Sequence, residues 1–330
     1  MDRSTDNLLR IQGLDVTYSQ PNGERLSALD KVSVDLRPAE VLGILGESGC
    51  GKSTLANAIL RLLPPHAQIE NGQILFQDRD LLQFSRPDLR QIRGRVISIV
   101  PQEPALSLNP VMTVGTQIAE VVRAHLPLTS KQRRERVSDL LWEVGFDQPA
   151  KIYNVYPHQL SGGQRQRIVI AQAIACEPAL LIADEPTSKL DGPLRSEIMD
   201  LLSGLRQKHG TAILVISHDL TLMAELADRI AVMYAGRIIE IGARREMFLR
   251  PFHPYTQALL QLEQSSRATV PGTKRRFPQI EGELSSGAAL PAGCRFEPRC
   301  PDRMSTCVAQ CPPEVAPEPA RSVSCFKYGE

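Results

Sequence analysis

The sequence carries no excess charge of either sign: 38 basic residues stand against 37 acidic ones, a formal net of +1 over 330 residues. That balance argues against an extended polyanion-binding surface, so nucleic acid is not an expected partner. Long apolar runs are also missing. Those present, such as Ala212 to Ile216, fall far below the ~18 residues that would suggest a membrane span. Met1 to Arg10 is polar and has no signal-peptide core, so the expected location is the cytosol, or a membrane reached only through partners. No internal repeat is found. An apolar fraction of 42% and a charged fraction of 23% are those of an ordinary globular protein. The length suits one large domain or two smaller ones.

Cysteine is unevenly spread. Cys50 and Cys176 stand alone, while Cys294, Cys300, Cys307, Cys311 and Cys325 crowd the C-terminal end. In a secreted mini-protein such crowding signals disulfides, but without an export signal a metal or cluster site is the better expectation. Prolines follow the same trend, 11 of 25 lying beyond residue 250. Such a segment builds little apolar core of its own and needs the main domain's surface, or a metal, to order it.

Upstream, alternation predicts strands at Leu8–Tyr18 and Val32–Leu36 with a turn at Pro21-Asn22-Gly23. Glu40–Gly46 is a buried run ending in a glycine-rich loop, and Ser53–Leu63 has helical periodicity until Pro64-Pro65. Strand, loop and helix together open an α/β fold. Further strands are predicted at Gln73–Phe76 and Arg95–Val100. From about 103 to 176 buried-strand patterns vanish and three helices are predicted, Val114–His125, Lys131–Val144 and Gly163–Cys176. This reads as a helical subdomain inserted into the core. Strands return at Ala179–Ala183 and Ala212–Ser217 around a helix Leu194–Lys208, followed by a hairpin of Arg229–Tyr234 and Arg237–Ile241. One short helix, Tyr255–Leu262, is expected beyond.

Gly46-Glu47-Ser48-Gly49-Cys50-Gly51-Lys52-Ser53 matches the pattern G-x4-G-K-[ST], between a buried strand and a helix. Its glycines let backbone N–H groups turn inward around a phosphate, and the helix N-terminus adds a favourable dipole. Lys52 is expected to reach the β- and γ-phosphates, Ser53 to ligate Mg²⁺, and Thr54 to add a phosphate contact. Cys50 reads as a small filler. Leu180 to Ala183 then leads to Asp184-Glu185, two carboxylates at a strand end. Asp184 suits a Mg²⁺ ligand, and Glu185 suits the residue that holds the attacking water.

Leu160-Ser161-Gly162-Gly163-Gln164 resembles the signature sequence of ABC transporter ATPases, and the other family motifs stand in the family's order. Tyr18 occupies the place of the adenine-stacking aromatic, Gln102 that of the Q-loop glutamine and Mg²⁺ ligand, and His218 that of the switch histidine. Ser188-Lys189-Leu190-Asp191 stands at the D-loop. Lys189 departs from the family's usual small residue, and Pro101 from its usual aromatic. The resemblance implies an active, Mg²⁺-dependent ATPase with Glu185, His218 and Gln102 at the reaction. It also implies that Ser161, Gly163 and Gln164 face the ATP of a second ATPase subunit, as exposed N–H groups and a hydroxyl opening a helix would allow.

Ser107-Leu108-Asn109-Pro110, Tyr156-Pro157-His158-Gln159, His253-Pro254-Tyr255-Thr256 and Cys294-Arg295-Phe296-Glu297-Pro298-Arg299-Cys300-Pro301 resemble the oligopeptide/dipeptide importer branch and its nickel-importer relatives. This implies a P-loop ABC ATPase core over residues 1–250, with an N-terminal antiparallel β subdomain and the inserted helices, and a Cys/Pro-rich extension over 251–330. It further implies two transmembrane permeases, a second and non-identical ATPase subunit, a substrate-binding protein, and attachment to the cytoplasmic face of the membrane. The transported substrate is not named by the sequence. The branch's tail implies a [4Fe–4S] cluster on Cys294, Cys300, Cys307 and Cys325, with Zn²⁺ the alternative and Cys311 outside. The rival readings are a soluble ABC ATPase acting on ribosomes or DNA, and a regulatory module that holds ATP unhydrolysed.

Overall fold

The computed structural model describes residues 7–188, 190–267 and 290–329. Lys189, and with it the departure noted at the D-loop, lies outside the described residues. The strands in chain order are β1 (Leu9–Ser19), β2 (Arg25–Leu36), β3 (Val41–Leu45), β4 (Ala67–Phe76), β5 (Arg79–Asp80) and β6 (Ile97–Val100). They continue as β7 (Leu180–Asp184), β8 (Ala212–Ser217), β9 (Arg229–Tyr234), β10 (Arg237–Ala243), β11 (Glu314–Glu318) and β12 (Arg321–Ser324). The chain forms two compact units. One comprises Met1–Leu8, Leu36–Val41 and Phe76–Ile216; the other comprises Leu9–Asp35, Leu42–Leu75 and Ser217–Glu330.

In the second unit a tight turn, closed by the Gln20 N–H donating to the Glu24 carbonyl at 2.8 Å, folds β2 back antiparallel onto β1. β4 pairs along the other edge of β1. Burial in β1 shifts phase between Ile11 and Leu14, at Gly13 (φ 56°), whose left-handed backbone inserts one residue without strain. A second sheet in this unit runs β11-β12-β10-β9-β3, with β3 and β9 parallel and β9 and β10 a hairpin around Ala235-Gly236. β3 is buried along its whole length, as a strand covered on both faces must be. The helix Lys52–Ile59 follows the glycine loop and ends earlier than periodicity suggests, because a turn leads into Pro64-Pro65. The C-terminal strands β11 and β12 escape sequence reading: β12 joins the sheet through β10, with Glu240 opposite Val323. The helix Pro254–Arg267 also runs longer than the short one expected.

In the first unit β6, β7 and β8 are parallel neighbours, with Ile182 opposite Ile99 on one side and Leu214 on the other. Residues 103–176 contain helices and no strand among the described residues. Val114–His125, Ser130–Glu143 and Gly162–Ala173 bury Val114, Ile118, Val122, Val137, Leu140, Leu141 and Ile168. Gly115 admits the Tyr153 ring so closely that an added Cβ would lie 2.2 Å from it. Glu143, at the end of its helix, accepts hydrogen bonds from Lys208 at 2.7 Å and His209 at 2.8 Å, stapling it to Gly192–His209.

Candidate nucleotide-binding and cysteine sites

The phosphate loop turns on two left-handed glycines, Gly49 (φ 82°) and Gly51 (φ 110°). Gly51 also sits where a Cβ would come 2.6 Å from the Ala28 carbonyl, so backbone conformation and space both demand glycine. The same holds for space at Gly46, whose Cβ would meet the Met233 carbonyl at 2.3 Å. Lys52 is buried, and its amino group donates to the Gly46 carbonyl at 2.7 Å and the Glu47 carbonyl at 2.9 Å, so the cation lies inside the turn of the loop. Ser53 is exposed at the helix start. Burial pushes the Cys50 thiol above its ordinary pKa despite the nearby Lys52 charge. This is the behaviour of a small packed side chain. Tyr18 and Thr54 are brought together, their hydroxyls 3.2 Å apart, with the Tyr18 ring 5.5 Å from the His66 ring. His218 is exposed just past the end of β8.

In the other unit Asp184 ends β7 and is buried. Glu185 follows with φ 49°, a left-handed backbone that costs a β-carbon residue free energy, and is held by its N–H donating to the Ile216 carbonyl at 2.8 Å. Gln102 is exposed on the loop after β6. That loop is fixed by a residue sequence reading missed: Gln117 accepts from the Asn109 N–H and donates to the Asn109 and Met112 carbonyls, each at 2.9 Å. A glutamine in the first turn of the helix that follows Asn109-Pro110 was its only sequence signal.

Ser161 and Gln164, expected at the anion site, hold each other at the helix start. The Ser161 hydroxyl accepts from the Gln164 N–H at 3.2 Å while the Gln164 side chain accepts from the Ser161 N–H at 3.0 Å. This capping box uses the N–H groups of Ser161 and Gln164, leaving the Ser161 hydroxyl its own proton to donate and the Gly162 and Gly163 N–H groups outside the box. Gly163 packs against Leu194, a Cβ there lying 2.9 Å from its methyl. Asp191 caps the following helix, accepting from the Leu194 N–H at 3.2 Å.

Cys294, Cys300, Cys307 and Cys325 line one largely apolar pocket together with His253, Phe296 and Phe326. Cys311 is not in its lining; its thiol donates to the Gly293 carbonyl at 3.1 Å. Burial pushes the Cys300 and Cys325 thiols up, and Cys294 to about 11. Four soft donors lining one small pocket suit a thiolate-bound group in kind. Their positions do not: among the described residues no three His, Cys, Asp or Glu side chains are grouped to hold a metal ion.

A glycine phosphate loop at the head of a helix and a strained carboxylate after a parallel strand define a P-loop ATPase. Residues 29–188 match the ABC transporter family, and residues 239–307 match the family "Oligopeptide/dipeptide transporter, C-terminal region". Among relatives, the oligopeptide transport ATP-binding protein AppD of Bacillus subtilis is 41% identical, covering 98% of this chain and 97% of its own. The dipeptide transport ATP-binding protein DppD of the same organism is 40% identical over 97% and 95%. OppD of Escherichia coli is 39% identical over 98% and 94%. The solved dimeric, post-hydrolysis cassette MJ0796 bound to ADP and Pi superimposes with a TM-score of 0.65 at 28% identity, over 72% of this chain and 99% of that one. The chain therefore belongs to the ABC transporter ATPases, in the branch that carries the oligopeptide/dipeptide C-terminal region. Among the described residues no helix is long and apolar enough to cross a membrane.

Proposed function

We propose that this chain is the ATP-hydrolysing subunit of a peptide-type ABC importer. What carries the reading is one chain holding an intact phosphate loop, a strained Glu185 after Asp184, and a tail matching the oligopeptide/dipeptide region. The alternative of a soluble ATPase on ribosomes or DNA is not favoured, since full-length relatives are named as transport proteins.

In this reading the loop N–H groups of Gly46, Ser48, Gly49, Cys50 and Gly51 cradle the phosphates of ATP. Lys52 neutralises the β- and γ-phosphates, Thr54 adds a contact, and Tyr18 stacks on adenine. Ser53, Gln102 and Asp184 are hard oxygen donors of the kind Mg²⁺ takes; the ion, when bound, offsets phosphate charge. Glu185 orients and polarises the attacking water, and His218 contacts the γ-phosphate. Ser161, Gly163 and Gln164 meet the nucleotide of a second ATPase subunit, which we propose to be non-identical. Two permeases dock on the Q-loop and helical subdomain of the 1–250 cassette, at the cytoplasmic face of the membrane, and a binding protein delivers substrate. The exposed Leu106 (85%) and Val111 (78%) beside the Q-loop support such a protein contact.

Glu185→Gln should lower ATP turnover at least about 100-fold while ATP binding and the nucleotide-held dimer persist. Turnover at the wild-type rate would remove Glu185 from the chemistry. For the tail we propose a [4Fe–4S] cluster on Cys294, Cys300, Cys307 and Cys325; their shared pocket supports it, and binding requires the four thiols to draw closer than they stand here. Iron and acid-labile sulfide in anaerobically purified protein should both be found. Zinc without iron would replace the cluster by the alternative, and neither metal would leave the four as plain thiols.

A further inference from the structure

Between the first two pocket cysteines runs Arg295-Phe296-Glu297-Pro298-Arg299, and both arginines reach the neighbourhood of the phosphate loop. Arg299 makes a two-pronged ion pair with Glu47, its Nη1 and Nη2 donating to the two carboxylate oxygens at 2.8 and 3.0 Å. The Arg299 side chain is only 6% exposed, and it also donates to the Tyr234 hydroxyl at 3.3 Å. Paired donors in a fixed fork are the strong form of this contact, and burial of the guanidinium limits the water that competes for it, although Glu47 stays 28% exposed. The backbone of Glu47 is held as well, its N–H donating to the Tyr255 hydroxyl at 3.1 Å. Tyr255, Tyr234 and Phe296 are each at most 1% exposed and pack ring to ring, with centroids 4.7 to 5.4 Å apart. Arg295 works on the far side of the loop. It pairs with Asp30 and donates to the Ala235 carbonyl, in the turn whose Gly236 N–H donates to the Cys50 carbonyl at 2.8 Å.

We infer that the segment from Cys294 to Cys300 is a brace for the phosphate loop, and that Arg299 is a positioning residue for ATP binding acting through Glu47. Glu47 is the one acidic residue of the loop. Without its clamp, that carboxylate would stand uncompensated among the groups that receive phosphates, and the first turn would lose a side-chain anchor. Arg299 touches no phosphate in this scheme. It sets loop geometry and cancels a charge of the wrong sign.

The inference rests on loop 46–53 binding nucleotide, and a test on the full chain separates the two claims. ATP affinity is measured by equilibrium titration, and KM and kcat by phosphate release. Wild type should bind ATP and Lys52→Ala should not; failure of either refutes the loop reading itself. Arg299→Ala should weaken ATP binding about tenfold and raise KM accordingly, with kcat little changed, the loss expected for one charge-assisted contact. Arg299→Lys should recover part of this. In a Glu47→Gln background, Arg299→Gln should change affinity less than twofold, because the charge it cancels is gone. An Arg299 effect undiminished in that background, or wild-type affinity in Arg299→Ala, overturns the brace. If Arg299→Ala does not fold, the comparison of Glu47→Gln with the double variant decides alone.

Discussion

Glu185 and Gly51 depart from ordinary backbone conformation for opposite reasons. Glu185 holds a left-handed backbone at a cost of about 1–3 kcal/mol, which its N–H bond to the Ile216 carbonyl helps to keep in place, as the proposed role of its side chain would require. Gly51 relieves strain, and Gly51→Ala should abolish ATP binding, since a Cβ 2.6 Å from a backbone carbonyl can be accommodated only by moving the loop. An ATP titration of that variant checks this. His253 is a third special residue: it is buried with its pKa pushed down to about 3, and its Nδ1 accepts the Tyr255 N–H at 3.0 Å. In the unfolded chain it takes up a proton near 6.5. Stability is thus full above about pH 6.5 and falls as pH drops towards 3, by up to about 1.4 kcal/mol per unit. Denaturant midpoints of wild type and His253→Asn between pH 7 and 4 should diverge, the variant showing the flatter profile. Glu185 and Gly51 were legible as motif positions, whereas the burial of His253 depends on packing against Phe296, a ring from another segment with its centroid 5.7 Å away.

At the scale of elements, the helices of residues 103–176 follow their apolar spacing closely, because each has one stripe to bury. Val114–His125 is found as the periodicity predicts, and Ser130–Glu143 begins one residue early, where Thr129 and Gln132 form a capping box. Ser161→Ala removes a similar box from Gly162–Ala173 and should cost about 1 kcal/mol of stability. That loss is readable as a shift of the thermal midpoint. Gly115→Ala should cost more, because its methyl would enter the Tyr153 ring; about 1–3 kcal/mol is the usual penalty of such overpacking. Urea unfolding of both variants ranks the two effects. The Ser161 box was encoded in the spacing Ser161 to Gln164, while the Gly115–Tyr153 contact links helices whose packing no local pattern specifies.

For the whole molecule, the tail is part of the sheet carrying the phosphate loop. Arg321 on β12 pairs with Glu240 on β10 at 2.9 Å, the two side chains 2% and 0% exposed, and its guanidinium lies 3.6 Å over the Phe252 ring. Glu240 also accepts the Phe252 and His253 N–H groups at 2.8 and 2.9 Å. Arg321→Ala would leave a buried carboxylate without its countercharge, at a cost of about 3–5 kcal/mol. A lowered unfolding midpoint and faster alkylation of the buried Cys307 should accompany it. The sequence by itself determined the ATPase class, because motifs such as Gly46 to Ser53 and Ser161 to Gln164 need fixed spacings along one chain. It also showed that a segment poor in apolar periodicity and rich in proline needed outside support. Only the tertiary structure decided what that support is: among 38 basic and 37 acidic residues, it pairs Arg321 with Glu240 in the interior and Arg299 with the partly buried Glu47. Partners 252 and 81 residues apart leave no local pattern, since their attraction is weak in water and grows only once folding brings them together and burial lowers the local dielectric.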